Sequence, residues 1–391
     1  MAMRRSTLVM VCMATVYAFS HRMSVVPFYD LFMQEYGITY AQAGGLLSAF
    51  FVGYALFIMP AGVLADRLVT RNVLVAGLAV VGTSATAFAL ARSYTLAMAA
   101  RFLVGIGIAL IHPSAIKILA ASFDRKMLGL AVGLRESSAG AGILAAVTAF
   151  PLLARTYDPA RILLVAGLLW IPIAAGCLWV RPSGGAHQEF KPRLAMDLRV
   201  LARREVLLLA GASFFGLFAI NGFVGWFPAY LEKGLGMEKA AAGVVMAGNM
   251  GAMIVVAMFG GRLSDLMGRR PVAVAGSCGL AIVLALLWLG SGVPPMAMAL
   301  FAGGVMALST PPLVTLAAEI VNVENAGAVT GLVTAIGQIA SAVAGWFLGW
   351  LLDVSGGFSL SWAAMLGSLA VELLLLLNIR ERRDGLGRVG A

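Results

Sequence analysis

The chain has 391 residues, of which 61% are hydrophobic and only 12% charged, against about 25% charged in an average soluble domain. No soluble body of this size can hide that much apolar surface, and the mean hydropathy of +0.94 points instead to helices in a bilayer, which satisfy their own backbone polar groups. The net charge of +10 does not indicate nucleic acid, because the basic residues sit mostly in short loops between apolar runs.

Twelve apolar runs follow one another, near 7–33, 40–62, 72–91, 95–121, 128–153, 161–180, 206–231, 240–261, 271–290, 295–318, 328–352 and 362–379. The basic start, with Arg4 and Arg5, resembles a secretory leader, but the run behind it is too long and has no clear cleavage site. It is expected to stay as the first membrane helix. The longest polar stretch, about 181–205, is rich in charge and contains Pro and Gly. It divides the chain into a six-helix half over 1–181, a linker over 182–205, a second six-helix half over 206–380 and a basic tail over 381–391. With the N-terminus inside, nineteen Lys and Arg fall in inner segments and five in outer loops, namely Arg92, Arg155, Arg161, Lys233 and Lys239, while the other four of the 28 lie within helices. That bias predicts both termini in the cytoplasm of a multi-pass protein of a plasma or bacterial inner membrane.

Cys12, Cys177 and Cys278 lie in apolar runs without paired spacing, so neither a disulfide framework nor a metal cluster is expected, and no cofactor. No nucleophile–base spacing suggests an enzyme.

The halves repeat. Gly62-Val-Leu-Ala-Asp66-Arg67 returns as Gly261-Arg-Leu-Ser-Asp265-Leu266 at an offset of 199, and Gly129-Leu-Ala-Val-Gly133 returns as Gly327-Ala-Val-Thr-Gly331 at 198. Pro27-Phe-Tyr29 likewise returns as Pro228-Ala-Tyr230. Two parallel halves suit alternating access, with a site near the midplane between them.

After the eighth run the chain reads Gly261-Arg-Leu-Ser-Asp265-Leu-Met-Gly268-Arg269-Arg270, and after the second Gly62-Val-Leu-Ala-Asp66-Arg67-Leu-Val-Thr-Arg71. The first resembles the G-x-x-x-D-x-x-G-R-[RK] loop of the major facilitator superfamily at every fixed position; the second departs from it at Val69 and Thr70. Arg101-Phe-Leu-Val-Gly105-Ile-Gly107 is similar to a further motif of that superfamily, in its fourth helix. The resemblance implies a twelve-helix transporter whose inner gate is latched by these loops, with Asp66, Arg67, Arg71, Asp265, Arg269 and Arg270 as the gating residues. The fifth run has Gly133-Leu-Arg-Glu-Ser-Ser-Ala-Gly140-Ala-Gly142 and no Gly-Pro, unlike the drug/proton antiporters of the superfamily. Phe19-Ser-His21-Arg22, Pro27, Gly37 to Gly44 and Gly53-Tyr54 resemble the beginning of its anion:cation symporters, and that resemblance implies that Arg22 contacts an anionic substrate.

An ionisable side chain inside a membrane is costly unless paired or facing water, so each is a functional candidate. These are His21, Arg22, Arg101, His112, Lys117, Arg135, Glu136 and Glu372. Seven of the eight lie in the first half, and the repeat pairs Arg22 with Phe223, Arg135 with Val333 and Glu136 with Thr334. Charge is therefore not demanded by the repeat, and a charged cargo or a proton path is the simplest cause. Arginine presents planar donors suited to a carboxylate. Arg22 is expected to anchor the anion, with Arg135 or Arg101 assisting, and Tyr29, His112, Asn221, Trp226 and Tyr230 lining the site. Thr15 and Tyr29 are placed on the Arg22 stripe of one continuous helix, and a kink is expected at Pro113. Adjacent Arg135 and Glu136 point about 100° apart. Glu136, read as a buried carboxyl, is the candidate for the coupling proton, with His21 or His112 as alternates. Glu372 has no evident partner. The reading is a secondary transporter of a small organic anion, a carboxylate, coupled to protons and working as a monomer. An inorganic-anion carrier of the nitrate or cyanate type, or a drug/proton exporter of the same fold, is the alternative.

Overall fold

The structure, a computed structural model, describes residues 2–178, 198–321 and 323–379, so most of the linker and the tail lie outside the described residues. The described chain is helical throughout, with twelve spans long and apolar enough to cross a membrane. Spans 1 to 6 are Arg5–Tyr36, Tyr40–Arg67, Thr70–Ala89, Tyr94–Ser122, Met127–Leu153 and Pro159–Leu178. Spans 7 to 12 are Arg204–Gly234, Lys239–Met267, Arg269–Trp288, Pro295–Glu319, Ala326–Ser355 and Ser359–Leu377.

Three spans differ from a uniform helix; span 7 passes from α over Arg204–Ala229 into a π-helical turn over Tyr230–Gly234. Span 1 is not one helix: it is α-helical over Ala2–Met23, passes through a 3-10 turn at Val26–Phe28 and resumes over Tyr29–Tyr36. Pro27 is the cause, since it has no N–H for the carbonyl four residues back and disfavours the α conformation in the residue before it. Thr15 and Tyr29 therefore do not share a stripe. Span 6 breaks at Leu169, between Pro159–Leu168 and Trp170–Leu178, where Pro172 cannot donate to Leu168. Pro113, by contrast, lies inside the unbroken helix Tyr94–Ser122.

Packing within a half relies on glycine. Gly53 of span 2 sits against the Phe102 carbonyl and Gly105 of span 4 against that of Phe50, so a Cβ at either would overlap backbone. Small residues allow this approach, which in lipid supplies the contact that a hydrophobic drive supplies in water.

The halves meet through spans 2 and 11 and through spans 5 and 8. Their contacts crowd toward the side remote from the termini. Gly44 abuts the Gly345 carbonyl and Gly349 that of Tyr40, and Ser48 Oγ donates to the Ala342 carbonyl at 2.5 Å. Gly243 of span 8 meets the backbone of Val147 and Thr148. Ion pairs Lys233–Asp30 at 3.1 Å and Arg155–Glu238 at 2.7 Å cross between the halves on the same side. Asp353, at the end of span 11, accepts from the Tyr40 and Ala41 amides at 2.9 and 2.8 Å. These are the first amides of span 2, which have no partner within their own helix. Thr39 takes the Gln42 amide and the Gln42 side chain takes that of Thr39, so the helix start is capped half by its own chain and half by the opposite half. On the side of the termini, a Cβ at Gly62, Gly129, Gly133, Gly261 or Gly327 would meet nothing within 4 Å. The molecule is closed on the side remote from the termini and looser on the other, where Met59 of span 2 still comes near Gly331 of span 11.

Gly44→Ala places a methyl group on the Gly345 backbone. Spans 2 and 11 are expected to separate, shifting the population toward the state open on this side. Spin-label distances between the two spans check it: they lengthen in the variant, and unchanged distances would refute this account of the closure.

Candidate functional site

The break in span 1 leaves carbonyls at mid-membrane depth that lack helical donors, a situation lipid tolerates only if other groups supply them. Arg101 of span 4 does so. Its Nη1 donates to the His21 carbonyl at 2.6 Å and its Nη2 to that of Arg22 at 2.8 Å, while Nε reaches the Leu46 carbonyl of span 2 at 3.2 Å. Ser24 Oγ adds a bond to the His21 carbonyl. The guanidinium lies over the rings of Phe50 and Phe88 at 5.5 and 5.7 Å, which favours a desolvated cation. Arg101 is 1% exposed and its donors are taken up by three backbones, so it fixes where the helix breaks and how Arg22 is held.

Arg22, freed at that break, is half-buried between the halves. Its Nη2 donates to Asn221 Oδ1 of span 7 at 3.0 Å, its guanidinium lies 5.1 Å from the centre of the Phe51 ring, and its Nε is buried without a hydrogen-bond partner. Asn221 is itself held by its Nδ2, which donates to Ser341 Oγ of span 11 at 2.9 Å and to the Leu217 carbonyl at 3.2 Å.

Arg135 of span 5 is fully buried. It pairs with the Glu136 carboxylate, donates from Nη2 to His112 Nδ1 at 2.9 Å and lies over Phe19. Because a guanidinium only donates, His112 Nδ1 must be the bare nitrogen. The Tyr54 ring meets that of His112 edge-on, with centroids 6.5 Å apart, and Arg22, Arg135 and Glu136 all act electrostatically on its hydroxyl. Five side chains from spans 1, 2, 4 and 5 thus converge: Arg22, Tyr54, His112, Arg135 and Glu136. Glu136 is not the buried carboxyl that its apolar run suggested. Its side chain is 52% exposed, and Arg135, about 100° round the helix, is the buried member at 0%.

Other expected residues lie elsewhere. The buried His21 turns toward span 6, with Nε2 3.3 Å from the Ala166 carbonyl and its ring edge-on to Tyr17. Tyr29 and Trp226 are buried against each other at 5.1 Å between the halves, on the closed side, and neither the Tyr29 hydroxyl nor Trp226 Nε1 has a hydrogen-bond partner. Tyr230 belongs to an aromatic cluster of the second half, 5.3 Å from Trp362 and 5.4 Å from Phe358. The loop residues pair inside their own halves: Asp66 with Lys117 of span 4, Arg71 Nη1 with the Leu178 carbonyl at 3.0 Å, and Arg269 with Asp265 and Glu319 at 2.5 and 3.2 Å. Arg270 donates to the Leu377 and Ile379 carbonyls, and Arg67 is exposed at the end of span 2. Tyr54, Phe51 and Ser341 are the parts of the cluster and its support that candidate picking by charge passed over.

The Major Facilitator Superfamily profile matches residues 10–248 and 229–389, and the chain belongs to that family. Among curated relatives, the hexuronate transporter of Bacillus subtilis (strain 168) is 23% identical over 353 residues, 81% of each chain. The 3-(3-hydroxy-phenyl)propionate transporter of Escherichia coli (strain K12) is 26% identical over 70% of this chain and 68% of its own. The 4-hydroxybenzoate transporter of Pseudomonas putida is 26% identical over 53% of this chain and 55% of its own. The fold is shared with a nucleoside transporter at a TM-score of 0.82, 10% identity and coverage of 97% and 100%, and with a D-xylose-proton symporter at 0.80, 16% identity and coverage of 96% and 98%. The protein is a membrane carrier, not an enzyme.

Removing the Arg101 guanidinium leaves the Arg22 carbonyl of span 1 without a donor and the His21 carbonyl with Ser24 Oγ alone. Hydrogen bonds to a charged group contribute about 1.5–3 kcal/mol each, so Arg101→Ala is expected to lower stability by about 3 kcal/mol or more. Arg101→Lys, lacking the fork, restores less than half. Thermal unfolding in detergent measures both, and an unchanged midpoint in Arg101→Ala would contradict the assignment.

Proposed function

We propose that the protein carries a small organic anion, recognised by its carboxylate, across the bilayer by alternating exposure of the space between Arg22 and Arg135, with protons as the coupling ion. The observation that carries this is the charge of the cluster. Two guanidinium groups stand there with one carboxylate, Glu136, which is paired to Arg135 while Arg22 bonds the neutral Asn221, leaving a cationic site that an anion neutralises. Phe51 and Phe19, under the two guanidinium groups, give an organic body apolar walls that nitrate or cyanate would not use, and a drug exporter would want acidic rather than basic groups. The three relatives above are named for carboxylates, which supports the same class.

Coupling follows from competition. An anion arriving at Arg135 takes the donors that now hold Glu136, and the released carboxylate can take up a proton from the open side; when the anion leaves, Arg135 reclaims Glu136 and the proton goes. His21, bound to span 6, is the weaker candidate. Tyr29, Trp226 and Asn221 serve as the wall toward the closed side, Tyr230 behind them. By the loop-charge bias the open side is the cytoplasm, with both termini there, and a monomer suffices because the two halves complete the site. The loops at Asp66 and Asp265, now paired within their halves, would act as the inner latch when that side closes.

Uptake of labelled glucuronate, 4-hydroxybenzoate, cis,cis-muconate and nitrate into proteoliposomes, with and without a pH gradient, is the test. At least one organic acid is expected to accumulate, faster with an inward proton gradient, and nitrate is not. Arg22→Ala and Arg135→Ala should each lower uptake at least about tenfold, the loss of one charge-assisted contact. Unimpaired flux in Arg22→Ala would refute the anion site. Glu136→Gln is expected to keep counterflow exchange while losing its acceleration by the gradient; intact gradient-driven accumulation would remove Glu136 from the coupling step.

A further inference from the structure

Glu372 stands in the Leu-rich middle of span 12 and is 1% exposed. Its carboxyl lies against span 7 at Gly216, where a Cβ would come to 2.5 Å from Oε1 and 2.8 Å from Cδ. Ser277 of span 9 is the polar side chain beside it, near enough to act on the carboxyl but outside hydrogen-bond geometry, so neither carboxyl oxygen nor Ser277 Oγ has a well-formed hydrogen bond. The neighbours offer no counter-ion. Span 12 packs on spans 7, 9 and 11, and over 206–229, 271–288 and 327–352 these contain no Asp, Glu, Lys, Arg or His. Cys278 is exposed. The basic residues at the start of span 9 are engaged: Arg269 holds Asp265 and Glu319, and Arg270 holds the Leu377 and Ile379 carbonyls at 2.9 and 3.0 Å.

A carboxylate buried among apolar side chains with no cation beside it among the described residues, and only the Ser277 hydroxyl near it, is strongly unfavourable as a charge, and such a group takes a proton instead. We propose that Glu372 is a proton-binding site of the second half, occupied while span 12 lies on span 7 at Gly216. The site rests on the reading of the protein as an alternating carrier, but it is separate from the anion cluster. Span 7 is the helix that also bears Asn221 and Trp226, bound across to Arg22 and Tyr29. When the closed side opens, those contacts break and span 7 moves, and the packing that keeps water from Glu372 loosens. The O–H bond then breaks, the proton passes to water, and the carboxylate that remains resists reclosure until a proton returns. Gly216 supplies the close approach: any larger residue there would push the carboxyl out of this packing.

The test uses the full chain reconstituted in lipid and needs no cargo, so its failure and failure of the anion reading are distinguishable. Infrared difference spectra between acidic and alkaline buffer are expected to contain a protonated-carboxyl C=O band that is absent in Glu372→Gln and retained in Glu136→Gln. Spin-label distances between Leu130→Cys of span 5 and Phe259→Cys of span 8, on the looser side, are expected to shorten as the buffer is made alkaline, and this dependence should vanish in Glu372→Gln, which mimics the protonated form. A band unchanged by Glu372→Gln overturns the proposal, as does an identical pH dependence of the distances in that variant. Gly216→Ala, which retains the carboxyl but displaces it, should shift the band and weaken the distance change; leaving both untouched would count against the packing.

Discussion

The first membrane helix has to break, and a cation has to be buried to let it. Pro27 ends the helix at mid-depth, and the exposed carbonyls of His21 and Arg22 would be ruinous in hydrocarbon. Arg101 meets them with a rigid fork, and Phe50 and Phe88 enclose it. The arrangement solves two problems with one contact, since the carbonyls gain donors and the guanidinium gains acceptors without a carboxylate. The consequence reaches the site. A helix that continued past Met23 would carry Arg22 on a uniform surface, whereas the break leaves it on the last turn, pointing to the gap between the halves.

Composition and periodicity carried the architecture. Twelve apolar runs correspond to twelve spans, because in lipid a helix must be apolar along its length whatever it packs against. The break in span 1 was not legible, since the run reads as one continuous helix; Pro27 and its repeat mate Pro228 stand in comparable runs, yet the α-helix of span 7 runs through Pro228 to Ala229 and passes directly into a π-helical turn over Tyr230–Gly234. The difference lies in the partner: Arg101 is there to receive the freed carbonyls of span 1. A local signal therefore marks where a helix can break, and a residue 74 or more positions away decides whether it does.

What the run pattern hid is which side of a helix meets the gap. Arg135 and Glu136 are neighbours in sequence, and helical geometry separates them, but only packing shows that Arg135 is buried and Glu136 exposed. The repeat was informative and slightly out of register. Aligning Pro27 with Pro228 opposes Arg22 to Phe223, whereas the contact falls on Asn221, 199 positions on, the same offset as the Gly62 and Gly261 loops. A pseudo-twofold axis brings equivalent positions together near itself, so an arginine and an asparagine at equivalent places bond to one another, charge facing a neutral amide. Lys117 was legible as a cation near a helix end, but its partner Asp66 lies 51 residues earlier and could be found only once spans 2 and 4 were side by side.

Arg22 then has two roles that pull against each other. It ties the halves together through Asn221, helping to hold the closed side, and it presents donors to the open space. A ligand that drew the guanidinium away from Asn221 would weaken the closure just where Tyr29 and Trp226 complete it. Binding energy at Arg22 is in this way convertible into a change of access, since a ligand shifts an equilibrium only by its differential affinity for the two states. The closed side has other ties that do not touch the cargo, Asp353 on the first amides of span 2 and Lys233 on Asp30. They lie at the rim of the closed side, where an exposed ion pair such as Lys233–Asp30 contributes little. On the proposed reading the balance between states is therefore decided less at the rim than at the centre, where Arg22 would exchange Asn221 for the anion.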